Sequence, residues 1–337
     1  MRPTVWTYGL VTLVLASLAA VYAMAVVVGT APLTLVAVAL VGALAVVGAV
    51  VSVRASTRVP RPRVGDIAAG AATAALALLL VREMHIPALV AMSIVVVLVG
   101  MLVAPWGPLD VRSECAGYAG AFVGLVPPGI VVPSVWVAGA GAMAGLLASV
   151  IGPSVLPGVG GRLGLVAFMA SSSVYWFGTA LGGVHDVVLL PEFHGLAQGA
   201  VVPIGAVAAT VTWVLIQRRG WDFALASGLT SLLVCGGVYL SSMGDLAPVF
   251  AAAWFGGTMV GISAPAQLPG AVWIGFAGML YGAHLLPFPD PIAGHVGVLG
   301  VLAVIAVLVV MGVLRVAGGI AARGARRPRA VPGHPPV

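Results

Sequence analysis

Apolar residues fill most of this chain in long blocks, and the blocks end at clusters of Gly, Pro or Arg. Blocks near twenty residues match the ~30 Å hydrocarbon core of a bilayer at about 1.5 Å per helical residue. They predict twelve membrane segments: 5–28, 31–53, 64–82, 86–104, 114–127, 131–151, 162–182, 195–217, 222–241, 246–263, 268–286 and 293–318. None alternates apolar and polar residues with the period of two that a barrel strand needs. The fifth and tenth are short for a full crossing, so re-entrant loops compete with spans there.

The pattern occurs twice. Residues 116–146 lie on residues 253–283 without a gap, at a shift of 137, and ten of the 31 positions are identical. Matched Ala and Val mean little in such a chain, but Pro128/Pro265 and Trp136/Trp273 fall in the same frame as Gly120/Gly257, Gly124/Gly261, Gly141/Gly278 and Gly145/Gly282. The same frame lays 64–82 on 201–219, pairing Ile67 with Ile204 and Arg82 with Arg219. The unit is therefore read as five segments, 31–151 repeated as 162–286. Five is odd, so the second copy enters from the other side, as in inverted-repeat transporters. The expected fold is an all-α polytopic membrane protein. A flanking helix (1–30) precedes a first half (31–151); a second half (152–290), a flanking helix (291–320) and a disordered basic tail (321–337) follow.

Composition agrees with the class. Of 337 residues 61% are hydrophobic and 7% charged, against about 25% charged in soluble domains. The net charge of +6 does not imply nucleic acid, because the basic residues form no patch with interleaved aromatics and fall between apolar blocks. All fifteen are Arg, and Lys and Asn are absent, which suggests a GC-rich prokaryotic genome. With both termini in the cytoplasm and twelve crossings, only Arg82 lies outside, as the positive-inside rule favours. The expected location is thus the plasma (inner) membrane. Cys115 and Cys235 have no metal or redox spacing and read as small core residues.

Chemistry is sparse. Gly120-x-x-x-Gly124 and Gly257-x-x-x-Gly261 bring small residues to one helix face, where helices can pack closely. After each comes a Pro-containing break, through Pro127 and Pro128 in the first half and through Pro265 and Gln267 in the second. Such breaks either line a solute path or are ordinary turns at the surface. Trp136 and Trp273 read as interfacial anchors. Glu114 and Asp222 read as cytoplasmic interface residues. Ser171, Ser172, Ser173 and Tyr175 form the most polar run inside any segment. Hydroxyls, carbonyls and glycines suit a neutral or weakly polar solute.

On the outer side Glu83 and His85, His185 and Asp186, and Glu192 and His194 pair imidazole with carboxylate, donors suited to a divalent transition metal. The plain alternative is that such residues collect in outer loops from which Arg is excluded. No nucleotide-binding, nucleophile-elbow or zinc-protease motif occurs. Three functions follow: a transporter or channel for a small solute, with the path between the halves; a membrane-embedded enzyme using the outer His/acid residues and a metal; or a non-catalytic subunit of a larger complex. The expected partners are the lipid bilayer, a small-molecule solute and a second copy or partner subunit, with no nucleic acid.

Overall fold

The computed structural model describes residues 61–103, 110–126, 133–154, 156–180, 196–286 and 297–325. Among them are ten α-helices, a single 3-10 turn at Gly244–Leu246 and no strand. The helices are α1 (Val64–Arg82), α2 (Ala88–Val103), α3 (Val111–Val123), α4 (Ser134–Ser154), α5 (Arg162–Ala180), α6 (Leu196–Arg219), α7 (Phe223–Leu240), α8 (Ala247–Gly261), α9 (Ala271–Leu285) and α10 (Val298–Ala325). Five of these, α1, α4, α6, α7 and α10, are long and apolar enough to cross a membrane, so the chain has the make-up of a helical membrane protein. The first two expected segments, 5–28 and 31–53, lie outside the described residues. At 1.5 Å per residue, α3 and α8 are about 20 and 22 Å long, short of the ~30 Å apolar core.

Glycine decides the packing. In α1, the Gly70 carbonyl oxygen lies directly beneath Gly120 of α3 and Gly141 of α4, leaving no room for a methyl at either. One turn on, Gly124 sits against the Ala74 carbonyl, and Gly145 against that of Asp66. The same contacts recur around α6. A methyl at Gly257 would come within 2.7 Å of the Gly205 carbonyl oxygen, one at Gly261 within 2.5 Å of that of Ala209, and one at Gly282 within 2.5 Å of that of Val201. Each cluster thus consists of three helices with small residues four apart, so that backbone meets backbone. In both, the order of contacts makes the first two helices (α1 and α3, or α6 and α8) parallel and the third (α4 or α9) antiparallel.

These contacts correct the upstream register. Within α3/α8 and α4/α9 the offset is 137, as the sequence indicates. Between α1 and α6 it is 135: Asp66 corresponds to Val201, Gly70 to Gly205, Ala74 to Ala209 and Ala77 to Thr212. The identities at 137, such as Ile67/Ile204, are therefore not the residues that pack alike.

The clusters are joined through α2 and α7. Val96 and Val97 meet Gly228, and Gly100 meets Leu225, so these helices run antiparallel. Of the five helices long enough to cross a membrane, the most enclosed is α10, which packs on α5, α8 and α9. Residues 300–312 are buried without interruption, and a helix apolar all round is covered all round. It crosses α5 where Gly164 and Gly300 touch; a methyl on Gly164 would lie 2.6 Å from the Gly300 Cα. The helix also continues through Ala325, into the segment read from composition as a disordered tail.

One end of the bundle collects the charges. Arg63 is paired with Asp110, while Arg112 reaches Asp66 at 3.5 Å and the carbonyl oxygens of Arg61 and Ser149 at 2.9 and 3.4 Å. Asp110 caps α3 by accepting the Ser113 N–H at 3.0 Å. This backbone bond, with Arg63 beside it, holds the Asp110 carboxyl below the usual carboxylate range. A carboxylate depressed in this way stabilises the fold above its unfolded pKa of about 3.9, and that contribution is lost as pH falls through the lower folded value. Replacing Asp110 with Ala should cost about 1 kcal/mol. Melting curves of D110A and the parent should differ at pH 7 and converge as the pH is lowered through the depressed folded value.

Candidate functional site

The second helix break, read either as lining a path or as an ordinary turn, is docked onto the connection between α4 and α5. The Ala264 N–H donates to the Gly158 carbonyl at 2.8 Å, and the Gly160 N–H donates to Ser263 Oγ at 3.1 Å. Gln267 donates its side-chain amide to the Pro157 carbonyl at 2.8 Å, while Pro265 is exposed. The break is thus a clasp between residues more than a hundred positions apart. Pro127 and Pro128 of the first break lie outside the described residues. Gly120, Gly124, Gly257 and Gly261 are all buried in the helix clusters.

The polar run of α5 is partly placed. Ser171 and Ser172 are half-buried, and Ser171 Oγ donates to the Phe168 carbonyl of its own helix at 3.2 Å. Ser173 and Tyr175 continue the same helix. Of the six candidate metal ligands, Glu83 and His85 are exposed just beyond α1, with His85 Nδ1 3.3 Å from the Glu83 carbonyl oxygen and its backbone at φ 54. His185, Asp186, Glu192 and His194 lie outside the described residues, so the convergence of the six is not defined. Among the described residues no group of three or more His, Cys, Asp or Glu side chains could hold a metal ion.

What the structure does bring together lies beside the clasp. A small, partly open pocket is walled by Tyr118 of α3, Val159 and Gly161 to Gly164 at the start of α5, Phe223 of α7, and Met259 and Ile262 at the end of α8. Tyr118 is wholly buried, and its hydroxyl lies 3.2 Å from Ser227 Oγ across the junction of α3 and α7. Its ring packs against Phe122 and Phe223, at centroid distances of 5.8 and 6.0 Å.

One helical turn before Tyr118, and on the same side of α3, is Glu114. Its side chain is fully buried, and neither carboxylate oxygen makes a well-formed hydrogen bond, although the Asp222 carboxyl and the Ala224 N–H lie close to it. The Asp222 carboxylate acts on it directly, while Asp222 Oδ1 is itself committed to capping α7 through the Ala224 and Leu225 N–H groups. Arg162, which also lines the pocket, reaches the same spot, because Arg162, Glu114 and Asp222 all act on the Cys115 thiol.

The burial of Glu114 is what an interface reading does not anticipate. The polar stretch Asp110–Glu114 looks like a loop, yet Asp110 starts the helix there, and every residue from Ser113 to Val123 is buried. The available signal was the four-residue spacing to Tyr118 on a helix too short to reach both surfaces. No family model matches the sequence, and no curated protein or solved structure is significantly similar to it.

Proposed function

We propose that this protein is a membrane transporter or channel for a small, neutral or weakly polar solute, with the path running between two inverted halves. The observation that carries the reading is the pocket. Tyr118 comes from the first half and Phe223, Met259 and Ile262 from the second, and a hydroxyl pair, an arginine and two carboxyl groups sit in or beside its wall. A mostly apolar cavity with a few converging polar groups is the usual form of a small-molecule site. In inverted-repeat transporters such sites lie where the halves meet.

Two further features support the architecture in this reading. The glycine clusters around α1 and α6 make equivalent contacts in the same relative directions, as two copies of one unit would. The charged starts of α1, α3, α5 and α7 gather at one end. Twelve crossings with that end in the cytoplasm keep Arg162 on the same side as Arg112, whereas a re-entrant α3 would separate them.

The test is flux through proteoliposomes containing the full chain, using urea, glycerol and acetamide as probes. Ile262→Cys is labelled after folding with a bulky maleimide, and the parent, whose Cys115 and Cys235 are buried, serves as the control. At least one probe should cross faster than through protein-free vesicles, and labelling Cys at 262 should abolish that excess. Equal flux with and without protein for every probe would overturn the reading, and so would an excess untouched by the label.

A further inference from the structure

The part of the site hardest to explain as packing is Glu114. A buried, ionised carboxylate that faces a second carboxylate is among the costliest groups a protein can hold, and such groups neutralise instead. The neighbours decide how. α1 presents Asp66, which is occupied by Ser113 at 3.0 Å and Arg112 at 3.5 Å. α5 presents Arg162 and α7 presents Asp222. α2 and α4, which also pack on α3, have no ionisable residue within their bounds. On α3 itself, Cys115 and Tyr118 are neutral at physiological pH. Arg162 and Asp222 together add no net charge, so an ionised Glu114 would give this enclosed site a net negative charge. A protonated Glu114 leaves it neutral.

We infer that Glu114 is a proton-carrying residue beside the pocket: its carboxyl holds a proton in this closed arrangement and exchanges it when water enters. In that step the Glu114 O–H bond breaks, its electron pair stays on the carboxylate oxygen, and the proton passes to the entering water, which also solvates the carboxylate left behind. As the coupling site of a transport cycle, this rests on the reading above; as a proton site, it stands alone.

The chain makes the experiment tractable, because its only glutamates are Glu83, Glu114 and Glu192. The full chain is labelled with carboxyl-¹³C glutamate and examined by infrared spectroscopy in lipid nanodiscs at pH 7. An isotope-shifted band of a protonated carboxyl group is expected, well above the pH at which a free glutamate, with pKa about 4.3, has ionised. It should vanish in Glu114→Gln and weaken in Asp222→Asn, which leaves the Arg162 charge to be balanced by Glu114. Should Glu114→Gln fail to fold, the doubly substituted chain Glu83→Gln, Glu192→Gln retains Glu114 as its one glutamate and must keep the band. Transfer into D2O should shift it, and the bulky label at Ile262→Cys should slow that shift. The absence of the band overturns the inference, as does its survival in Glu114→Gln or a failure to shift in D2O. The band does not depend on any solute. The band without probe flux would overturn the transport reading alone, and flux without the band would overturn the proton site alone.

Discussion

Gly120→Ala should destabilise the protein by about 3 kcal/mol, near the top of the range for overpacking a core, although it adds a single methyl group. The atom it meets is the Gly70 backbone carbonyl, which cannot rotate away as a side chain would, and the next obstacle is the Thr73 hydroxyl. That hydroxyl is itself bonded to the Ala69 carbonyl at 2.8 Å. Gly139→Ala is the comparison. It lies in α4 with nothing within 4 Å of the added carbon, so replacing glycine in a helix should be neutral or gain about 0.5–1 kcal/mol. Heating each variant in detergent and following the monodisperse fraction by size exclusion measures both. Equal melting of the two variants would mean that the close approach of α1 and α3 does not support the fold. Gly257→Ala should resemble Gly120→Ala, since it meets the Gly205 carbonyl at 2.7 Å.

Arg112→Ala should cost about 3–5 kcal/mol, the range for breaking a buried ion pair from one side. Asp66 is fully buried, and its second carboxylate oxygen has only Arg112, at 3.5 Å. Removing the guanidinium leaves that charge without its counter-ion. It also removes the donor to the Arg61 and Ser149 carbonyls, loosening the joint between α1, α3 and α4. Arg112 is about a quarter exposed, and water reaching the gap places the loss toward the lower end. Combining Asp66→Leu with Arg112→Met should recover most of it, because apolar replacements of buried ion pairs are often tolerated. The same heating assay decides. If the double variant melts as low as Arg112→Ala, the joint needs its charge and not merely its volume.

The helices were legible because nothing else fits such apolar blocks: the segment expected at 64–82 is α1, Val64–Arg82, and that expected at 222–241 is α7, Phe223–Leu240. The errors arise where residues answer to partners distant in sequence. The start of α3 was missed since Asp110, Arg112 and Ser113 look like loop residues until Arg63 and Asp66 are beside them. The pairing of Gly70 with Gly205 was hidden because Gly120 follows Gly70 by 50 residues and Gly257 follows Gly205 by 52. An ungapped comparison tuned to the glycines of α3 and α8 must misalign α1 and α6. The pocket was missed for a related reason. Tyr118, Arg162, Phe223 and Ile262 share no motif, and only the crossing of α3, α5, α7 and α8 makes them neighbours.

The burial of α10 also bears on how the protein is made. Chains are synthesised from the N-terminus, and helices that pack together must wait for the latest of them. Because α10 follows α5, α8 and α9, the groove these three line must remain unfilled until residues 298–312 have been translated. Until then the Gly161–Gly164 corner of α5 faces lipid or a chaperone instead of Gly300. Assembly is therefore completed at its final stage: the earlier helices can pack through α2 and α7, but the faces of α5, α8 and α9 are covered only when α10 arrives.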